Sequence, residues 1–394
     1  MRRILPLAAP EEIGLSPDRL ARLGAVMRGE IERGRLPGAV ALVARRGRVG
    51  FFDSFGLRDA ASGAPMARDA IFRIYSMTKP ITSVAAMMLW EEGRFLLSDP
   101  VEEYLPDLAG LQVAVERGGE IERVPLERAI TIQDLLRHTS GLTYEFRGSG
   151  PVYKMYQSGR LHSRAQSNAD QVAALGKIPL LHQPGTRWEY SRSTDVVGRL
   201  IEVLSGQPLS VFFEQHILAP LGMVDTAFSV PQRHHSRLAE AFTRDPDSGT
   251  TVQLLEVRDP PTFESGGGGL VSTASDYARF LQMLLDGGTF DGRRLLSRKT
   301  IELMTADHLG PITGATDLLL PGHGFGLGFA VRLHAGIASV PGSVGQYFWG
   351  GLAGTTFWVD PAEQMFALLL IQAPGRRDYY RTLFRDLVYS AFDD

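Results

Sequence analysis

Ser76 and Lys79 stand three residues apart in the run Arg73-Ile74-Tyr75-Ser76-Met77-Thr78-Lys79-Pro80. Residues at that spacing share one face of a helix, so a hydroxyl and an amine come within reach of each other. The stretch after them is patterned as a helix. Ile81, Val84, Ala85, Met88 and Leu89 recur at three- and four-residue steps, and Gly93 supplies the stop. Pro80 lacks an N–H and fits only the first helical turn. Ser76 then falls at or just before the helix N-terminus, where unpaired N–H groups favour negative charge. The chemistry this permits is nucleophilic attack by a serine with a base beside it. Composition sharpens the reading. Of 41 Lys plus Arg residues only four are lysines: Lys79, Lys154, Lys177 and Lys299. Only Lys79 has a serine three residues before it. Arginine does not give up its proton near neutral pH, whereas a desolvated lysine does.

Ser-x-x-Lys alone describes an N-cap serine with a surface lysine equally well, so the rest of the chain has to decide. No Gly-x-Ser-x-Gly occurs, which argues against an α/β-hydrolase. The nine histidines contain no His-Glu-x-x-His, and none is assigned to a metal. With no cysteine, disulfides, thiol catalysis and Cys-ligated metals are excluded. A net charge of -3 without a basic run gives no electrostatic case for nucleic acid or an anionic membrane. No stretch approaches the ~20 apolar residues of a membrane span. The N-terminal apolar run is short, broken by Pro6 and followed by Glu11 and Glu12, unlike a signal peptide. A cytoplasmic protein with no cofactor is expected, and the sequence leaves the oligomeric state open.

At 394 residues, two structural domains are expected. Ser16-Pro17 opens a helix as N-cap and first helical residue. Ala39 to Val43 and Val49 to Phe52 read as a hairpin around Arg46-Gly47. The middle is mostly helical. Thr131-Ile132-Gln133-Asp134 resembles a capping box, and Ser193 to Leu204 and Leu209 to Leu218 have helical patterns. Asp245 to Gly269 reads as a long surface connection. The glycines Gly266 to Gly269 lack the Lys-Ser/Thr of a phosphate loop, so close backbone approach at a turn is the expected cause. Strands are predicted at Phe325 to Leu333, Thr355 to Val359 and Met365 to Ile371, then an amphipathic terminal helix. Strands and helices at both ends predict one α/β domain from residues 1–75 and 265–394. A mostly helical domain, 76–264, completes the pair, with the site in the cleft between them.

Several stretches resemble the serine β-lactamase and penicillin-binding-protein superfamily, especially its class C-like branch. They are Ser76-x-x-Lys79, Leu135-Leu136-Arg137-His138-Thr139-Ser140-Gly141-Leu142, Pro184-Gly185-x-x-Trp188-x-Tyr190-Ser191, Pro220-Leu221-Gly222-Met223 and Gly269-Leu270-x-Ser272-Thr273-x-x-Asp276. The resemblance runs over nearly the whole chain. It implies a β-lactamase-like fold: an antiparallel sheet flanked by helices, plus a mostly helical second domain. Two motifs depart from the β-lactamase pattern. Tyr190-Ser191-Arg192 keeps the tyrosine of Tyr-x-Asn but loses the asparagine, and Trp349-Gly350-Gly351 stands where Lys-Thr-Gly is expected. In both respects the chain is similar to the family VIII carboxylesterases, and to polyketide acyltransferases related to lovastatin biosynthesis.

The resemblance implies an acyl-enzyme on Ser76, with Lys79 and Tyr190 sharing the proton work and the N–H groups of Ser76 and Leu352 binding the oxyanion. Unperturbed pKa values of about 10 for Tyr and 10.4 for Lys require that neighbours lower at least one of them. Loss of a cationic anchor and gain of the Trp349 indole favour small uncharged esters, with Gly350 and Gly351 allowing close approach. Tyr144, Phe146, Tyr153, Tyr156 and Trp188 are expected to add aromatic wall, against the plainer reading of each as ordinary packing. The rival readings are a β-lactamase, D-amino-acid peptidase or amidase, and an acyltransferase using the same acyl-enzyme. A non-enzymatic sensor on the same scaffold is a further rival.

Overall fold

The computed structural model describes residues 5–117, 120–314 and 318–394. Its centre is an eight-stranded antiparallel sheet built from both ends of the chain. The strands are β1 (Gly38–Arg45), β2 (Arg48–Asp59), β3 (Ala64–Pro65), β4 (His323–Phe325), β5 (Ala330–Arg332), β6 (Tyr347–Gly350), β7 (Thr356–Asp360) and β8 (Met365–Ile371). In space they run β4-β5-β6-β7-β8-β1-β2-β3. The chain thus closes on itself where β1 meets β8, in register from Ala39 against Ile371 to Arg45 against Met365.

Both central strands are buried along their full length, because each face of the sheet is covered. Alternation assigns the side chains to two cores. Val40, Leu42, Phe366, Leu368 and Leu370 point to the larger one. Ala39, Ala41, Val43, Ala367 and Leu369 point to the smaller one, closed by α1 (Pro17–Glu32) and the C-terminal helix through Leu20, Leu23, Met27, Tyr380 and Phe384. Ser16 caps α1 by accepting from the Arg19 N–H, with Pro17 in the first turn. The larger core runs without a break into the helical middle of the chain, through Ile132, Leu135, Val196 and Leu200.

Helix α2 (Thr78–Glu91) crosses this larger core and is buried on nearly every side. Such a helix is held by packing around its whole circumference, a rigid mount for what precedes it. Gly93 ends it at φ 71°. The Arg94 N–H then reaches the Leu89 carbonyl at 3.0 Å and the Gly93 N–H the Trp90 carbonyl at 2.9 Å. Against it packs α3 (Ser193–Ser205), stopped by Gly206 in the left-handed region. Thr131 and Asp134 form the expected reciprocal cap.

Two expectations change. The strand predicted from Phe325 to Leu333 is a tight hairpin, β4 and β5, with Phe325 opposite Ala330. The turn forms at Gly326 to Phe329, where Gly328 takes φ 98°. The long connection after Asp245 is not merely superficial. Val257 is fully buried against Ile71, Val230, Leu238 and Val271, and this draws the connection back to the residues before Ser76. Among the described residues no single helix is long and apolar enough to cross a membrane.

Candidate active site

Ser76 sits in a short 3-10 turn, Tyr75–Met77, feeding α2. Its neighbours are pinned from several directions. The strand Phe72–Arg73 pairs with Val271–Ser272. The Ile74 N–H donates to the Leu270 carbonyl at 3.1 Å. Arg73 donates to the carbonyls of Leu255 and Ala239 at 2.5 and 2.9 Å. The Tyr75 hydroxyl accepts from the Leu255 N–H at 2.8 Å, and the Tyr277 hydroxyl donates to the Met77 carbonyl at 2.8 Å. These contacts hold Tyr75 at φ 44°, a region a side chain of that size enters only at some cost. The turn therefore aims the serine into the cleft.

Lys79 is fully buried one turn on. Its amine has three partners: Ser76 Oγ at 3.4 Å, Tyr144 OH at 3.0 Å and the Gly267 carbonyl oxygen at 2.6 Å. The last explains the glycine run. A Cβ on Gly266 would lie 2.8 Å from the Thr194 carbonyl, and one on Gly267 would lie 2.9 Å from Asp195 Oδ1 and 3.0 Å from Tyr144 OH. The run is glycine so that its backbone can wedge between α2 and α3, as close approach requires.

The Tyr190 hydroxyl lies elsewhere in the site than expected. It accepts from the Trp349 indole N–H at 3.2 Å. The hydrogen bond to Lys79 that a direct Lys79–Tyr190 relay needs is not made. The amine stands over the Tyr190 ring instead, 4.5 Å from its centroid. Three partners already occupy the lysine, and the indole holds the phenol oxygen. The phenol that touches Lys79 is Tyr144, which the sequence places in the wall. Burial, with Asp195 beside it, pushes the Tyr144 pKa well above the usual phenol value, so its proton stays on.

Tyr190 is braced from behind. His138 lies 4.9 Å from its ring, centroid to centroid, and accepts from the Ser191 N–H at 3.3 Å. Burial and the nearby Lys79 hold this imidazole well below its ordinary pKa, so it is neutral. Trp188 is fully buried in the same stack, 6.2 Å from Tyr190. It backs the tyrosine and has no surface in the cleft, which corrects its assignment to substrate. Tyr156 is likewise internal, its hydroxyl accepting from the Thr143 N–H at 3.3 Å. Tyr153 also stands outside the cleft.

The cleft is a cavity of about 430 Å³. Ser76, Tyr144, Phe146, Tyr190, Trp349, Gly350, Gly351 and Leu352 all line it, with Phe348 and Leu318. That volume suits a small organic ligand. Its cations are engaged. Arg192 pairs with Glu145 at 2.7 Å and Asp195 at 3.3 Å, and lies over the Tyr144 ring. Arg381 donates to the Gly351 and Thr355 carbonyls, and Arg377 and Arg381 both stand beside Asp378. Asp195 also accepts from Ser265 Oγ at 2.6 Å and the Gly267 N–H at 2.9 Å, tying the glycine run to Arg192. No local pattern in the chain signals the Glu145–Arg192 pair, which joins residues 47 positions apart. Among the described residues no group of three His, Asp or Glu side chains is placed to hold a metal ion.

A buried amine touching a serine at the head of a rigid helix, in a cleft closed by a strand edge, is a site for moving acyl groups through that serine. The chain belongs to the β-lactamase family: a model of that family, described as Beta-lactamase, matches residues 23–389. Protein Rv1367c of Mycobacterium tuberculosis (strain ATCC 25618 / H37Rv) is 39% identical over 358 residues, 88% of each chain. Esterase EstB of Burkholderia gladioli is 33% identical over 390 residues, 94% of this chain and 95% of that one. Among solved structures, EstCE1, described as a hydrolase with promiscuous acyltransferase activity, superposes with a TM-score of 0.78 at 28% identity. That match covers 94% of this chain and 99% of the other. The protein is thus a serine hydrolase or acyltransferase of the β-lactamase family, with the antiparallel sheet and flanking helices of that fold.

Proposed function

We propose that the protein is a carboxylesterase that cleaves small, uncharged esters through an acyl-enzyme on Ser76. The observation that carries this reading is Trp349. It fills the strand-edge position where the β-lactamase pattern has a lysine, and its N–H is committed to Tyr190. The cations that line the cavity are engaged with carboxylates or carbonyls, which leaves an aromatic, largely apolar pocket for an ester. The name of the similar esterase EstB supports the same substrate class.

Lys79 acts as the base. The Gly267 carbonyl only accepts, so one lysine N–H always points at it. Ser76 and Tyr144 are hydroxyls that either donate or accept. In the neutral amine the lone pair takes the Ser76 proton, and the remaining N–H donates to Tyr144. Ser76 Oγ then bonds to the acyl carbon, and the carbonyl electrons move onto oxygen, facing the N–H groups of Ser76 and Leu352. Collapse expels the alkoxide. The indole is a donor only, so Tyr190 accepts from Trp349, and the O–H of the phenol form is left to donate to the leaving oxygen. Water attacks the acyl-enzyme by the reverse of these steps. If an alcohol reached the acyl group first, the same site would transfer it, the kind of side activity named for EstCE1.

The test is a panel of 4-nitrophenyl esters of increasing acyl length, a peptide series and a chromogenic lactam, run on one preparation with its Ser76→Ala variant. Turnover of the short esters, lost in the variant, is expected. Faster lactam or peptide turnover would reject the ester assignment. Retained ester turnover in the variant would remove Ser76 from the mechanism.

A further inference from the structure

We infer that Arg381, on the C-terminal helix, is a positioning residue for the oxyanion site: its grip on the Gly351 carbonyl fixes the peptide whose N–H belongs to Leu352. This inference rests on the esterase reading and names a component that the reading does not require.

In a trans peptide the carbonyl and the N–H point to opposite sides. After β6 the chain turns back through residues 351–355. The Gly351 N–H donates to the Thr355 carbonyl at 2.8 Å, and the Gly351 carbonyl accepts from the Gly354 N–H at 3.1 Å. Both polar groups of Gly351 therefore face into the turn. The guanidinium of Arg381 donates to that same Gly351 carbonyl, and to the Thr355 carbonyl at 3.3 Å. With the carbonyl held there, the Leu352 N–H is directed to the other side of the plane. Leu352 lines the cavity, and among the described residues its N–H has no hydrogen-bond partner. That leaves the donor open to an oxyanion. A cation on the carbonyl also polarises the peptide and strengthens its N–H as a donor.

A second observation points the same way. A Cβ on Gly350 would lie 2.6 Å from the nearer guanidinium nitrogen of Arg381 and 2.7 Å from its carbon. A Cβ on Gly351 would strike the Ile74 carbonyl oxygen. The two glycines of Trp349-Gly350-Gly351 thus have separate reasons. Gly350 clears space for the guanidinium, and Gly351 lets the strand edge rest against the segment carrying Ser76. An ordinary surface ion pair would need neither. The Asp378 partner of Arg381, at 3.2 Å, is 76% exposed and contributes little to holding it.

The experiment replaces Arg381 by methionine, which keeps most of the apolar stem. For a short 4-nitrophenyl ester, Arg381→Met should lower kcat by about 10- to 100-fold, below the loss seen when an oxyanion donor is removed outright. KM should stay within about threefold, because the hydrogen bond strengthens in the transition state. The specific readout is the rate ratio of the ester to its thionoester, whose sulfur accepts hydrogen bonds poorly. That ratio should fall in Arg381→Met, and Arg381→Lys should recover part of it. Gly350→Ala displaces the guanidinium without deleting it, so its effect should not add to that of Arg381→Met. It also serves if the methionine variant does not fold. A kcat within twofold of wild type, or an unchanged thionoester ratio, would overturn the inference. If the wild type turns over no ester, the esterase reading fails and the crystal structure of Arg381→Met decides alone. A rotated Gly351–Leu352 peptide supports the inference, and an unmoved one ends it.

Discussion

The amine of Lys79 lies 2.6 Å from the carbonyl oxygen of Gly267, a group that accepts hydrogen bonds and cannot donate. One lysine proton is therefore committed whatever the charge on the nitrogen. Ser76 Oγ stands 3.4 Å away, where a lone pair on the deprotonated amine would meet it. Guanidinium has no such lone pair and does not lose a proton near neutral pH. Lys79→Arg should thus fail nearly as badly as Lys79→Ala, each by on the order of 10²- to 10⁴-fold in kcat for a nitrophenyl ester. Substantial turnover by the Lys79→Arg variant would contradict the base assignment.

Two tyrosines compete for the second proton-handling role, and their partners separate them. Tyr144 bonds to Lys79 and keeps its proton. Tyr190 accepts from Trp349 and lines the cavity, within which its hydroxyl can face a leaving oxygen. Tyr190→Phe should cost on the order of 10²-fold or more in kcat, the scale of a lost general acid. Tyr144→Phe removes one neutral hydrogen bond and should cost roughly tenfold or less, since such a bond contributes about 1 kcal/mol. Esters with better leaving groups should rescue Tyr190→Phe and leave Tyr144→Phe unchanged. The opposite ranking would give the acid role to Tyr144.

What could be read from the chain was local. Ser76 and Lys79 were legible because three residues along a helix fix a distance without any tertiary contact. Ser16, Gly93 and the Thr131 cap were legible for the same reason. The sheet made from both termini followed from the β-rich runs near each end of the chain. The tyrosine partners were not legible, since residues far apart in sequence set them: Lys79 with Tyr144, Tyr190 with Trp349. Trp188 was misplaced because an aromatic type says nothing of which side of Tyr190 it packs on. Arg381 gave no signal, as the carbonyl it holds belongs to every residue alike.

Arg192 stands where the β-lactamase pattern has an asparagine, and its partners predict what restoring that residue would do. Its side chain is 6% exposed between Glu145 and Asp195. Asparagine would leave two carboxylates without their cation, and breaking a buried pair from one side costs about 3–5 kcal/mol. Arg192→Asn should therefore unfold several degrees earlier in a thermal melt and gain no lactam hydrolysis. If Arg192→Asn instead proved stable and opened a chromogenic lactam, this one residue would separate the two activities.

Asp276 offers a pH test of a group remote from the chemistry. It lies in the first turn of the helix Ala274–Leu285, behind the Thr273 cap, and is 4% exposed. One oxygen accepts from the Asp225 N–H at 2.7 Å and Thr226 Oγ1 at 3.0 Å. Burial outweighs these bonds and raises its pKa to about 6. Because the folded value lies above the unfolded one, near 3.9, ionisation favours the unfolded chain. The penalty is absent below about pH 4, grows between about pH 4 and 6, and is complete above, where it amounts to roughly 3 kcal/mol. Asp276→Asn keeps an acceptor oxygen and removes the charge. The variant should melt above the wild type at pH 8, and the gap should close as the pH falls through that window. A gap of constant size across the range, or one that widens in acid, would show that this carboxylate is ionised without penalty in the folded protein.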